Sequence, residues 1–337
     1  MTVPTALSAP ARPAGAGKPA APARPAGAGG LAAPARPGSE GARRRPGAEQ
    51  VALYAFVVGP FLALLAGIGL AIAGHGITLL DVVLAFVFYA VSGLGVTVGY
   101  HRLLTHGSFK ARRPLRVALA IAGSMSVEGD VVQWVADHRR HHQFSDREGD
   151  PHSPWRFGTS ASAVLKGLWW AHTGWLFDRE QSSKARYAPD LLADRDIEVV
   201  HRLFPLWVAV SVFAPPLIAF GVTGGSWLAA GSAFLWASAV RILLLHHVTW
   251  SINSICHAVG EQRFQTRDRS TNVWPLCLLS FGESWHNFHH ADPTSARHGV
   301  DRFQFDVSAR VIALFEGLGW VRDVRWPRKE RVSAKRV

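Results

Sequence analysis

Apolar residues in this chain are gathered into long unbroken runs. Four of them, near residues 51–74, 77–100, 204–223 and 227–253, reach the roughly 20 residues that a helix needs to cross about 30 Å of hydrocarbon. Only His75-Gly76 separates the first two, and only Gly224-Gly225-Ser226 the last two. The pattern therefore predicts four transmembrane helices in two hairpins with short outer turns, the charged segments and both termini staying on the cytoplasmic side. A fifth run, Pro114 to Val135, carries Glu128 and Asp130 near its end and is weaker. If it crossed the bilayer, His101 and His106 would be parted from His138, His141 and His142. If it lies along the interface or forms a buried helix, all histidine groups share one face, and this second arrangement is expected because the chemistry below requires it.

Composition separates the ends from this body. Residues 1–48 are almost entirely Ala, Pro, Gly and Arg, with Pro10 to Gly17 nearly repeated at Pro22 to Gly29. Such a stretch buries too little apolar surface to offset its ordering entropy and reads as a disordered tail, without the apolar stretch of a cleaved signal peptide. Residues 49–315 form the main domain, and 316–337 a basic C-terminal tail. The fold class is thus an all-α integral membrane protein with a cytoplasmic helical domain. The formal charge of +12 raises nucleic acid as a partner, but the basic residues lie in the tails and beside apolar runs, with no nucleic-acid motif, so a membrane surface fits better. Arg43-Arg44-Arg45 ahead of the first run favours a cytoplasmic N-terminus. The two cysteines, Cys256 and Cys277, have no metal-binding spacing and are expected as reduced structural thiols.

Most of the 16 histidines fall into four clusters. His101 and His106 follow the second run; His138, His141 and His142 follow the fifth; His257 ends the fourth; His286, His289 and His290 lie beyond it. Residues three and four apart share a helix face, so each HxxHH group can converge on one point. Eight or nine imidazoles at one locus exceed the needs of one ion. Two metals are implied, and an all-nitrogen dinuclear set without thiolates suits iron that activates dioxygen better than a four-ligand structural zinc. The scattered His75, His152, His172, His201, His246, His247 and His298 are read as core or interfacial residues.

The segments Gly99-Tyr-His-Arg-Leu-Leu-Thr-His106, Trp134 to Asp146 with its HRRHH, Asp150-Pro-His-Ser-Pro154 and Trp285-His-Asn-Phe-His-His290 resemble the histidine boxes of membrane acyl-CoA delta-9 desaturases over about residues 53 to 310. The resemblance implies a diiron centre held by His101, His106, His138, His141, His142, His257, His286, His289 and His290, with Asn253 reaching a metal through water. It implies Trp250 beside the acyl chain, and Asp137 and Arg179 at the headgroup. Ala136 and Glu180 depart from animal relatives, where basic residues would serve a polyphosphate, so acyl-CoA, another carrier or a lipid stays open.

The implied reaction is dioxygen-dependent formation of a cis double bond in a saturated acyl chain. An unactivated C–H bond is beyond any side-chain base, so a metal–oxygen species must supply that chemistry. The chain has no flavin or dinucleotide fingerprint and no iron–sulfur cysteine spacing, so electrons are expected from a separate ferredoxin-like or flavin-dependent reductase. The competing readings are a diiron membrane hydroxylase and, from another class, a non-enzymatic metal or haem carrier, whose ligands would lie nearer the bilayer midplane.

Overall fold

The computed structural model describes residue 41 and residues 43–337. The disordered-tail expectation for 1–48 therefore lies, for residues 1–40 and 42, outside the described residues. Strand β1 (Arg43–Arg44) precedes helix α1 (Gly47–Ile72), which ends where Gly74 takes a positive φ of 88°. Helix α2 (Leu79–Thr105) starts on a capping box: the Thr78 hydroxyl accepts from Asp81 N–H at 3.2 Å, and the Asp81 carboxylate accepts from Thr78 N–H at 3.0 Å. Strand β2 (Lys110–Ala111) leads into α3 (Arg113–Ser124) and α4 (Val131–Phe144). After α5 (Ala161–His172) and strand β3 (Glu180–Gln181), helix α6 (Arg195–Arg202) packs on α3 and α4. Helices α7 (Phe204–Val222) and α8 (Trp227–His257) complete the second hairpin, and α9 (His286–Ala291) and α10 (Val307–Gly317) follow.

Four of these helices, α1, α2, α7 and α8, are long and apolar enough to cross a membrane. Their large exposed side chains, among them Phe61, Leu65, Phe86, Phe213 and Leu217, suit hydrocarbon and not water. The fifth apolar run is two helices. The 12 residues of α3 rise only about 18 Å, well short of the bilayer core. Between α3 and α4 the chain turns through Val127 (φ 65°) and Gly129 (φ 119°). A topology with four crossings is the result.

Close packing explains why α3 stays against α2. A Cβ added to Gly95 would meet the Gly123 nitrogen at 2.1 Å, and one on Gly99 would meet the Leu119 carbonyl oxygen at 2.8 Å. Absent side chains thus let the two backbones touch. The main core forms around this contact, joining Val98 and Leu103 to Val131, Val135, Ile197 and Ile312.

Segments assigned to the tails are joined to this body. Strand β1 pairs antiparallel with β3, Arg43 opposite Gln181. Strand β4 (Val321–Arg322) pairs with β2. Arg325 N–H donates to the Ser108 carbonyl at 2.8 Å, and Gln265 N–H to that of Lys335 at 2.8 Å.

Candidate metal centre

The histidine boxes arrive from four directions. The last eleven residues of α2, Gly95–Thr105, are wound as a wider π-helix, a form often found at functional sites. It brings His101 into the interior, and His106 caps its end. The i, i+3, i+4 spacing on α4 delivers His138, His141 and His142. Helix α8 tightens into a final turn that buries His257. Helix α9 supplies His286, His289 and His290.

All nine converge, in two groups. His101, His106, His138, His142 and His289 place one ring nitrogen each within 4.8 Å of one another, and His141, His257, His286 and His290 do the same. In the first group His101 Nε2 and His289 Nε2 are 3.1 Å apart, His289 and His142 2.9 Å, and His142 and His138 3.1 Å. In the second, Nε2 of His286 lies 3.1 Å from that of His257 and 3.0 Å from that of His290.

A carboxylate turns the ring of four of these histidines from behind. Nδ1 of His101 is 2.7 Å from Glu283, that of His141 3.0 Å from Asp150, that of His257 2.9 Å from Asp146, and that of His290 2.8 Å from Asp268. Each such Nδ1 donates its proton to the carboxylate, which leaves Nε2 as a bare lone pair facing the others. Lone pairs about 3 Å apart repel unless a cation lies between them. With metal–nitrogen bonds of about 2.1 Å, right-angled ligands stand about 3.0 Å apart, the spacing observed. His106 Nε2 and His141 Nε2 are buried and make no hydrogen bond. The residues therefore fit two metal ions. Burial first, and neighbouring imidazoles second, push the pKa values of His106, His138, His141, His142, His286, His289 and His290 well below the ordinary value. The rings are thus neutral donors at physiological pH.

The carboxylates were not assigned roles from sequence, although Asp146, Asp150 and Glu283 sit inside or beside the boxes. Two histidines read as core residues also lie here: His298 is 3.3 Å from Glu283, and His152 stacks on His141 with ring centroids 4.4 Å apart. His201, in contrast, is an ion-pair partner of Asp130 at 2.7 Å, and His246 Nε2 donates to the Ser126 carbonyl at 2.9 Å.

Two cavities adjoin the histidines. A narrow apolar one of about 50 Å³ runs beside His101, His138 and His286, between Gly93, Val96 and Thr97 of α2 and Leu245, Val248, Ile252 and Asn253 of α8. A charged one of about 460 Å³ is lined by Asp137, Arg45, Arg140, Glu180 and the tryptophans Trp155 and Trp175. Asn253 and Asp137 are thus brought to cavities. Trp250 is buried but packs on the rings of His246, His247 and His172 and is not among the apolar cavity's lining residues. Arg179 is exposed, and its backbone carbonyl accepts from Arg45 N–H at 2.8 Å. Cys256 and Cys277 are free and buried.

Residues 77–305 match the family model of fatty acid desaturases. The chain belongs to the fatty acid desaturase family. It is 38% identical over 266 residues, 78% of this chain and 82% of the other, to a hex-5-enoyl-[acyl-carrier protein] acetylenase of Moorena producens. It is 38% identical over 248 residues (72% and 74%) to delta-9 acyl-lipid desaturase 1 of Arabidopsis thaliana. To an acyl-CoA 5-desaturase of Anemone leveillei it is 39% identical over 261 residues (75% and 75%). The names of these relatives cover three acyl carriers and more than one bond position, so membership in this desaturase family carries oxidation of an acyl chain and leaves delta-9 and acyl-CoA specificity unassigned.

Proposed function

We propose that the protein is a dioxygen-dependent fatty acyl desaturase that introduces a cis double bond, at the delta-9 position, into a saturated acyl chain. The observation that carries this reading is the meeting of nine imidazoles in two groups beside an apolar cavity. His101, His106, His138, His142 and His289 would hold one iron, and His141, His257, His286 and His290 the other, with Asn253 reaching the second through water. When bound, the two irons supply one-electron redox chemistry and the activation of dioxygen.

The chain's own residues do the rest. Glu283, Asp146, Asp150 and Asp268 fix ring orientation. Val96, Val248 and Ile252 line the cavity with hydrocarbon, so methylene groups lie beside His101 and His286 with water excluded. Regiochemistry follows from position alone, since the oxidant has no means of counting carbons. The acyl headgroup would occupy the charged cavity at Asp137. With six carboxylates facing four guanidinium groups there, a polyphosphate such as coenzyme A is less well matched than a lipid or a phosphopantetheine-borne chain. Electrons come from a separate ferredoxin-like or flavin-dependent donor, docking on the cytoplasmic face together with both termini.

Expression in a host without its own desaturase, followed by mass spectrometry of its fatty acids, tests the proposal. Loss of two hydrogens is expected in the product. Gain of an oxygen would establish a hydroxylase, and unchanged lipids with no bound iron would end the reading.

A further inference from the structure

At the end of the apolar cavity remote from the histidines lies a lining residue held in a costly conformation. On α2 the lining residue farthest from His101 is Gly93, and on α8 the one farthest from His257 is Leu245. Phe281, from the loop before α9, also lines the cavity, and its φ is 54°. A bulky L-residue in this left-handed region costs on the order of 1 kcal/mol or more and persists only where its surroundings over-determine it.

Those surroundings are visible on every side. The ring fills the notch that Gly93 leaves: a Cβ there would stand 2.3 Å from Phe281 Cε2. One turn deeper along α2, Tyr89 packs on the same ring with centroids 5.7 Å apart, and its hydroxyl donates to the Leu279 carbonyl at 2.8 Å. The backbone is pinned as well, because Ser308 N–H donates to the Phe281 carbonyl at 3.0 Å. A Cβ on the neighbouring Gly282 (φ 98°) would meet the Asp306 side chain at 2.7 Å. A side chain clamped in this way cannot swing aside when a chain arrives.

We propose that Phe281, seated against Gly93 and backed by Tyr89, is the stop that the methyl end of the acyl chain meets, and that it sets the chain length the enzyme accepts. This rests on the desaturase reading above. Shortening the side chain deepens the cavity, and enlarging it makes the cavity shallower. Discrimination by one or two methylenes in an apolar pocket is worth about tenfold or more.

The test supplies a graded series of saturated acyl chains to membranes carrying the intact protein, Phe281→Ala or Phe281→Trp, and measures the unsaturated products together with iron bound per chain. Phe281→Ala is expected to raise the ratio of long-chain to short-chain product about tenfold, and Phe281→Trp to move it the opposite way, both with wild-type iron. Opposite shifts are not what general loosening of the fold gives. An iron-replete Phe281→Ala with the wild-type product profile would overturn the proposal while leaving the desaturase reading intact; a wild-type protein that makes no unsaturated product would remove the reading itself. Should Phe281→Ala fail to hold iron, Phe281→Leu is judged by the same ratio.

Discussion

Glu283 is the side chain on which several buried groups depend at once. It lies 2.7 Å from His101 Nδ1, 3.0 Å from the Arg102 guanidinium and 3.3 Å from His298 Nδ1. Arg102 is fully buried, and its other carboxylate partner is Asp306 at 3.0 Å. Removing one member of such a cluster strands a charge away from water, so Glu283→Ala is expected to lower stability by about 3–5 kcal/mol. Glu283→Gln keeps the shape but weakens the orientation of His101, and metal affinity should fall about 10–100-fold. Iron analysis and thermal unfolding in detergent measure the two effects separately. Glu128 offers a second test. Burial pushes its carboxyl up to about 7, opposed by hydrogen bonds from Thr249 and Trp134. The folded protein then keeps a proton that the unfolded chain releases near the ordinary value of 4.5, so stability falls as pH rises from there to about 7 and levels off above. Glu128→Gln should flatten this slope in a series of melting temperatures, and an identical slope would show that Glu128 is ionised in the fold. The two carboxylates also mark what a sequence does not disclose. The histidines were legible because their spacing is itself the chemistry. Glu283 was not, because its partner Arg102 is 181 positions away and only the fold pairs them; Phe281 was not, because its role depends on a backbone angle.

At the scale of elements, the four long helices were legible because bilayer thickness dictates their length, and their ends matched the glycine turns within a few residues. The fifth run was legible only in part: its hydrophobicity was plain, but the break at Val127 and Gly129 was not. Nor was the π-winding of Gly95–Thr105, which no composition signals. Trp250 and Arg179 were placed by resemblance alone, and side-chain direction carried Trp250 toward His172 and His247. The contact between α2 and α3 is where an element-level prediction belongs. Gly95→Ala would place a methyl group 2.1 Å from the Gly123 nitrogen, and neither backbone can yield without moving the helix that precedes the α4 histidines. A loss of about 1–3 kcal/mol is expected from overpacking, with reduced iron content. Gly231→Ala on α8, where an added Cβ meets nothing within 4 Å, should leave melting temperature and iron unchanged in the same assay.

At the scale of the molecule, the histidines can serve one centre only if every polar segment that carries them lies on one side of the bilayer. The short α3 and the convergence of all nine rings require this arrangement, and the positive charge at Arg43–Arg45 is the ground for the proposal that this side faces the cytoplasm. Single cysteines placed in a Cys256→Ala, Cys277→Ala background report on it directly. Cysteine at Gly76 or Gly225, in the two short turns, should react with an impermeant maleimide added to intact cells. Cysteine at Arg113, the first residue of α3, at Glu148, after α4, or at Arg302, beyond α9, should react only after the cells are opened. The pair Arg113 and Glu148 is decisive, because a membrane-crossing segment between them would make one of the two accessible from outside. The nine imidazoles would then stand in two compartments, and no pair of metal sites could be assembled from them.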